Sequence, residues 1–179
     1  MFTYDIDEVL KLKLLEINDK EPLFNLIMNS KLHLKEWLPW VEHTKRIEDT
    51  EAFIKLTMKQ FAENNGFQAG IWYEGEIAGV IGFHRIDWSN KSTSIGYWLG
   101  KDYEGLGIMT KSCKALVNHA LVEWKLNRVE IRAAEQNIKS IAIPERLGFI
   151  KEGVIRQSEW LDGKFVDHIV YGVLAEDWR

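Results

Sequence analysis

The chain's 179 residues carry 27 acidic and 23 basic side chains, a formal charge of −4, which excludes a broadly cationic surface for nucleic acid or anionic lipid. A composition of 46% hydrophobic and 28% charged residues excludes general disorder and fits a single domain over 1–179 with a substantial core. No apolar run is long enough to cross a bilayer, and the opening Met1-Phe2-Thr3-Tyr4-Asp5 lacks a basic region followed by an apolar segment, so the expected setting is cytoplasmic with no membrane partner.

In chain order, Leu10, Leu12 and Leu14 alternate with Lys11 and Lys13, which predicts a strand with one wetter face. Asn18 with Glu21 three residues later predicts a capped helix start, Pro22 being tolerated in the first turn. That helix, running to about Ser30, buries Leu23, Leu26 and Ile27. Leu34 to Trp40 interrupts it, and a second helix from about Ile47 to Asn64 sets Phe53, Ile54, Thr57, Met58 and Phe61 at helical spacing. Three strands are predicted next, over Phe67 to Tyr73, Ile77 to Ile86 and Thr93 to Leu99, with turns at Glu74-Gly75 and around Ser89-Asn90.

Beyond a glycine-bearing turn, Ile108, Met109, Ser112, Cys113, Leu116, Val117, Ala120, Leu121 and Trp124 trace one face of a helix. Cys113 is the only cysteine, which excludes an internal disulfide and, on that face, predicts a core role. Arg128 to Ala134 reads as a buried strand, Asn137 to Leu147 as a short capped helix with Gly148 as its exit, and Phe149 to Gln157 as the start of a hairpin. Asp162-Gly163 is a hairpin turn, with Phe165 to Leu174 returning. No long linker or repeat breaks this order, so it predicts an α/β (α+β mixed) domain with one mixed sheet and helices on both faces.

The turn Trp98-Leu99-Gly100-Lys101-Asp102-Tyr103-Glu104-Gly105-Leu106-Gly107-Ile108-Met109-Thr110 carries the most chemistry. Gly105 and Gly107 allow close main-chain approach, and the first turn of the following helix exposes N–H donors at its positive end. The pair fits a plain surface turn, or a cradle for a pyrophosphate and hence a phosphate-bearing cofactor.

Together with His33-Leu34-Lys35-Glu36-Trp37-Leu38-Pro39-Trp40, Asn137-Ile138-Lys139-Ser140, Leu147-Gly148-Phe149 and Lys151-Glu152-Gly153, this turn resembles the GCN5-related N-acetyltransferase (GNAT) superfamily. It is more closely similar to the RimJ/RimL branch of protein N-terminal acetyltransferases. The resemblance implies the GNAT fold, a central mixed, mostly antiparallel sheet with helices on both faces, and acetyl-CoA as co-substrate with no metal. It implies donor contacts from Trp98, Leu99, Tyr103, Glu104, Gly105, Leu106, Gly107, Ile108, Met109 and Thr110, chiefly through main-chain N–H groups. The pantetheine would lie where the strand ending near Leu99 diverges from the strand beginning near Arg128. Asn137 either helps bind the cofactor or serves only as an N-cap. Glu104 departs from the Gln or Arg usual at its place and brings negative charge toward a phosphate site. Met109 departs from a small residue but fits the branch's Gly-Ile-Met-Thr pattern.

Direct transfer requires an uncharged amine, a positioned carbonyl and a proton for the leaving thiolate. The resemblance assigns the base to Glu159 and the acid to Ser140. Read from their own surroundings, Glu159 also fits a solvated strand-end charge and Ser140 a polar first-turn residue. Pro144 replaces a tyrosine acid common in the superfamily, and it is expected to shorten or kink its helix by losing the bond toward residue 140. Tyr171 and water are the other proton donors open to the thiolate. Glu36, Trp37 and Trp40 are assigned to the acceptor, the alternatives being a solvated charge for Glu36 and core packing for the tryptophans. His33, His84 and His168 show no metal-ligand spacing, and His119 reads as a partly exposed helix residue.

The expected function is acetyl transfer from acetyl-CoA to a protein N-terminal α-amine, including that of a ribosomal protein, without direct nucleic-acid binding. The alternatives are a small-molecule amine (polyamine, antibiotic or amino-acid) acetyltransferase and a non-catalytic acyl-CoA sensor. An exposed strand edge leaves a homodimer open.

Overall fold

The computed structural model describes residues 3–179. Its strands are β1 (Thr3–Asp5), β2 (Leu10–Leu14), β3 (Gln68–Tyr73), β4 (Glu76–Asp87), β5 (Ser92–Leu99), β6 (Arg128–Ala134), β7 (Ile150–Leu161) and β8 (Lys164–Leu174). Its helices are α1 (Lys20–Asn29), α2 (Lys31–Leu34), α3 (Ile47–Ala62), α4 (Ile108–Asn118) and α5 (Ile138–Arg146), with a π turn over His119–Glu123 continuing α4. The strands follow the sheet order β1-β2-β3-β4-β5-β6-β8-β7. β5 and β6 pair in parallel, whereas β1 with β2, β2 with β3, β3 with β4, and β8 with β6 and β7 pair antiparallel. The sheet is therefore mixed and mostly antiparallel, as expected. The chain forms two compact units, one comprising the residues up to Gly82 with Tyr97–Ile108 and the other Phe83–Gly96 with Met109–Arg179.

The first unit is built around Leu15, Leu23, Leu26, Ile27, Leu34, Val41, Ile54, Ile77 and Val80, with Trp72, Trp98 and Tyr103 packed against them. The apolar spacing of α1 and α3 supplies this core, because residues three and four apart share a helix face. Ile54 is fully buried, so Ile54→Val is expected to lower unfolding stability by about 1 kcal/mol in a urea melt.

Two sequence expectations are corrected in this unit. Lys13 is not on a wet face: it is 8% exposed and donates to Asp19 Oδ1 at 2.6 Å. A charge this deep is tolerated because it is paired and bonded. Nor does Asn18 begin the helix. A 3-10 turn, Ile17–Asp19, precedes α1, and Asp19 Oδ2 accepts from the Glu16 N–H at 2.8 Å. Asp19 therefore serves the buried lysine and the turn at once. β1, α2 and the 3-10 turn Pro39–His43 add to the elements expected, all being shorter than the window over which periodicity can be read.

In the second unit α4 buries Cys113, Leu116 and Val117, and the π turn buries Ala120 and Leu121. Trp124 meets Phe83, Trp88 and His119 with ring centroids 5.0, 5.7 and 4.5 Å away. α5 runs through Pro144 and ends at Arg146, which corrects the expectation that proline shortens it. Only Glu145 and Arg146 follow the proline in the helix, so it forfeits the bond toward the Ser140 carbonyl with little helix left beyond it. β7 extends to Leu161, past the Gln157 end expected, and absorbs a register shift between Ile155 and Glu159.

Candidate active site

Within the first unit, the end of β5 is held against β4. The Gly100 N–H donates to Ala78 O at 2.8 Å, and a Cβ at Gly79 would stand 2.2 Å from the Trp98 carbonyl oxygen. The chain then makes a 3-10 turn, Lys101–Tyr103. Gly105 and Gly107 follow at φ +76° and +73°, in the left-handed region, with nothing within 4 Å of where a Cβ would stand at either. Glycine is needed there for its dihedrals, and its missing side chains leave open space beside the main chain.

α4 begins immediately afterward at Ile108. Its first N–H groups have no partner within the helix, which makes them donors for an anion. Ile108 and Met109 are 2% and 5% exposed, so only their main chain is open to a ligand. Leu106 is exposed and Thr110 half-buried. Tyr103 packs on the core edge-on to Tyr73, centroids 6.5 Å apart. Its burial, with Glu76 and Asp102 nearby, pushes the phenol above its ordinary pKa.

Glu104 pairs with a residue the sequence reading set aside: His33 Nε2 donates to Glu104 Oε1 at 2.7 Å. Among the acceptor candidates, Glu36 is exposed and Trp37 half-buried. Trp40 is 39% exposed and lies against Trp98 with centroids 5.9 Å apart. The first unit thus brings an acceptor candidate onto a donor candidate.

Within the second unit, Asn137 acts as an N-cap, its Oδ1 accepting from the Ser140 N–H at 3.2 Å. This commits its carbonyl oxygen to α5. Ser140 itself is half-buried in the first turn. Glu159 lies on β7 opposite Val166, and its Oε2 accepts from His168 Nε2 at 2.8 Å. The irregular register of β7 makes this possible. The Gln157 N–H donates to Asp167 Oδ1 at 2.7 Å, pinning the bulge, while His168 takes Glu159. Sequence spacing held a signal for this pair, since residues 166 and 168 share a strand face, but the bulge set their register.

Tyr171 is 2% exposed, and its hydroxyl donates to Glu145 Oε1 at 2.8 Å. Burial first, and then the Glu145 carboxylate, push its pKa up to about 12. Because the folded value lies above the ordinary 10, the stability this group supplies is complete below pH 10 and is lost as pH rises through about 12. Tyr171→Phe is expected to cost about 1 kcal/mol near neutral pH and to flatten the alkaline decline, read from urea melts across that range. Turnover should stay within a few-fold of wild type, since the hydroxyl is already engaged.

β5 pairs with β6 only from Ser92 to Ser94, against Arg128 to Glu130, whereas β6 pairs with β8 along its whole length. Among the described residues no group of three His, Cys, Asp or Glu side chains is placed to hold a metal, and no helix is long and apolar enough to cross a membrane.

A central mixed sheet flanked by helices, with a left-handed glycine turn feeding a long helix, defines a GNAT-fold acetyltransferase. The chain belongs to the GNAT acetyltransferase family, the Acetyltransferase (GNAT) domain matching residues 10–150, and within it to the RimJ/RimL-like ribosomal-protein branch. YdaF of Bacillus subtilis (strain 168), provisionally named a ribosomal N-acetyltransferase, is 38% identical over 180 residues, covering 100% of this chain and 98% of its own. The solved structure of RimL, a ribosomal L7/L12 α-N-protein acetyltransferase, in complex with coenzyme A superposes with a TM-score of 0.93 at 27% identity, covering 97% and 98% of the two chains. The microcin C7 self-immunity acetyltransferase MccE, in complex with acetyl-CoA and AMP, superposes at 0.90 with 30% identity over 94% of each chain.

Proposed function

We propose that the protein transfers an acetyl group from acetyl-CoA to the α-amine of a protein N-terminus, with a ribosomal protein as the leading acceptor and the cytoplasm as the setting. The observation that carries this reading is the likeness along nearly the whole chain to the L7/L12 α-N-protein acetyltransferase that binds coenzyme A. The residues present suit the donor. Main-chain N–H groups from Tyr103 to Thr110 would take the pyrophosphate, since two positive-φ glycines leave space beside them and the start of α4 adds donors. When bound, acetyl-CoA supplies an activated thioester.

Glu159 is the base in this reading. It takes the amine proton, freeing the lone pair to form the N–C bond as the C–S bond breaks. Ser140 gives its hydroxyl proton to the departing sulfur and takes one back from water. Asn137 holds the turn in which Ser140 stands, and His168 fixes one oxygen of the Glu159 carboxylate. Glu36, Trp37 and Trp40 form the acceptor wall.

The likeness to MccE supports a second reading, in which the acceptor is a small amine. A mass-resolved assay with acetyl-CoA, matched N-terminal peptides and small amines separates the two. The expected result is an acetylated peptide N-terminus with release of CoA. Acetylation of the small amines alone overturns the peptide assignment.

A further inference from the structure

We propose that His33 is a positioning residue for the donor, holding the acidic side chain of Glu104 away from the pyrophosphate turn. The inference deepens the donor-binding reading above and rests on it.

Glu104 directly precedes the left-handed Gly105, so its carboxylate is tethered beside the main-chain donors that the turn offers an anion. A free carboxylate there would oppose a pyrophosphate, and at a separation of several ångströms in aqueous surroundings the repulsion amounts to about a fivefold loss in affinity. The 2.7 Å contact from His33 Nε2 occupies Glu104 Oε1, and both side chains are about a quarter exposed. Glu104 therefore has a fixed place rather than a solvated sweep over the turn.

His33 can hold it because its own position is determined. It stands in α2 beside Leu34, which is buried in the core of the same unit, and its N–H donates to Ser30 O at 3.0 Å. The corner between α1 and α2 is also bonded to the start of the donor turn. The Lys101 N–H donates to the buried Ser30 Oγ at 3.1 Å, and a Cβ at Gly100 would stand 2.5 Å from Leu26 Cδ1. Residues 26–34 thus brace residues 100–104 through packing, one bond from the Lys101 N–H to the Ser30 hydroxyl and the His33–Glu104 contact. The first two set the distance, and the third places the carboxylate.

The test is calorimetric titration of CoA into the full chain, its His33→Ala and Glu104→Gln variants, and the double variant, with thermal melts on each. Glu104→Gln keeps an acceptor for His33 and removes the charge. It should bind CoA at least as tightly as wild type. His33→Ala should bind about fivefold more weakly, and adding Glu104→Gln should restore binding to within about twofold of Glu104→Gln alone.

A purely structural His33 would give a loss that persists in the double variant, which overturns the proposal, as does wild-type affinity in His33→Ala. If His33→Ala does not fold, Glu104→Gln decides alone: weaker binding than wild type means the carboxylate helps the site and ends the inference. Absence of CoA binding by the wild-type chain refutes the donor reading itself.

Discussion

Glu159→Gln is expected to lower the turnover number for acetyl transfer about 100-fold near neutral pH, while CoA affinity stays within about twofold of wild type. The substitution keeps the side chain's shape and an oxygen able to accept from His168 Nε2, so the 2.8 Å bond and the β7 bulge around it persist. What is lost is a group that can take the amine proton. At neutral pH an α-amine is largely protonated, so transfer without a base depends on the minor uncharged fraction and on water. Raising the pH should therefore recover part of the lost turnover, and steady-state kinetics over a pH series, beside calorimetry with CoA, reads this directly. Turnover at the wild-type level throughout removes Glu159 from the base role.

The strand and helix order was legible because its signals are local. The three- and four-residue spacing of Met109, Cys113, Leu116 and Val117 marks α4, and the Asp162-Gly163 turn marks the β7–β8 hairpin. The left-handed conformation of Gly105 and Gly107 is one that their residue type permits without requiring it.

Pairings between segments were not legible. Lys13 reads as solvated until Asp19 is folded beside it. His33 lacks a metal spacing, and nothing in its neighbourhood names Glu104, 71 residues away, as its partner. His168 and Glu159 are close in the chain, but their meeting depends on a bulge whose pin is Asp167. Side-chain chemistry sets what such residues can do, whereas register and packing decide which of them meet. Pro144 shows the converse: its type predicts a broken helix, whereas α5 continues through it to Arg146.

Gly107→Val is expected to weaken CoA binding by at least about tenfold, the second large effect. Two causes act together. A β-branched residue at φ +73° sits where L side chains are strained by about 1–2 kcal/mol, which shifts the turn away from the conformation that presents its N–H groups. The added methyls also fill the open space beside Gly107, where the proposed donor approaches. Strain of this kind lowers stability at any turn, so a matched control is needed. Gly75 provides it, being at φ +86° with nothing within 4 Å of its Cβ position, in the turn between β3 and β4. Gly75→Val should lower the melting temperature about as much as Gly107→Val and leave CoA affinity within about twofold of wild type. Equal losses of affinity in the two variants would mean that the turn at Gly107 binds no differently from a surface hairpin, and that the pyrophosphate is held elsewhere.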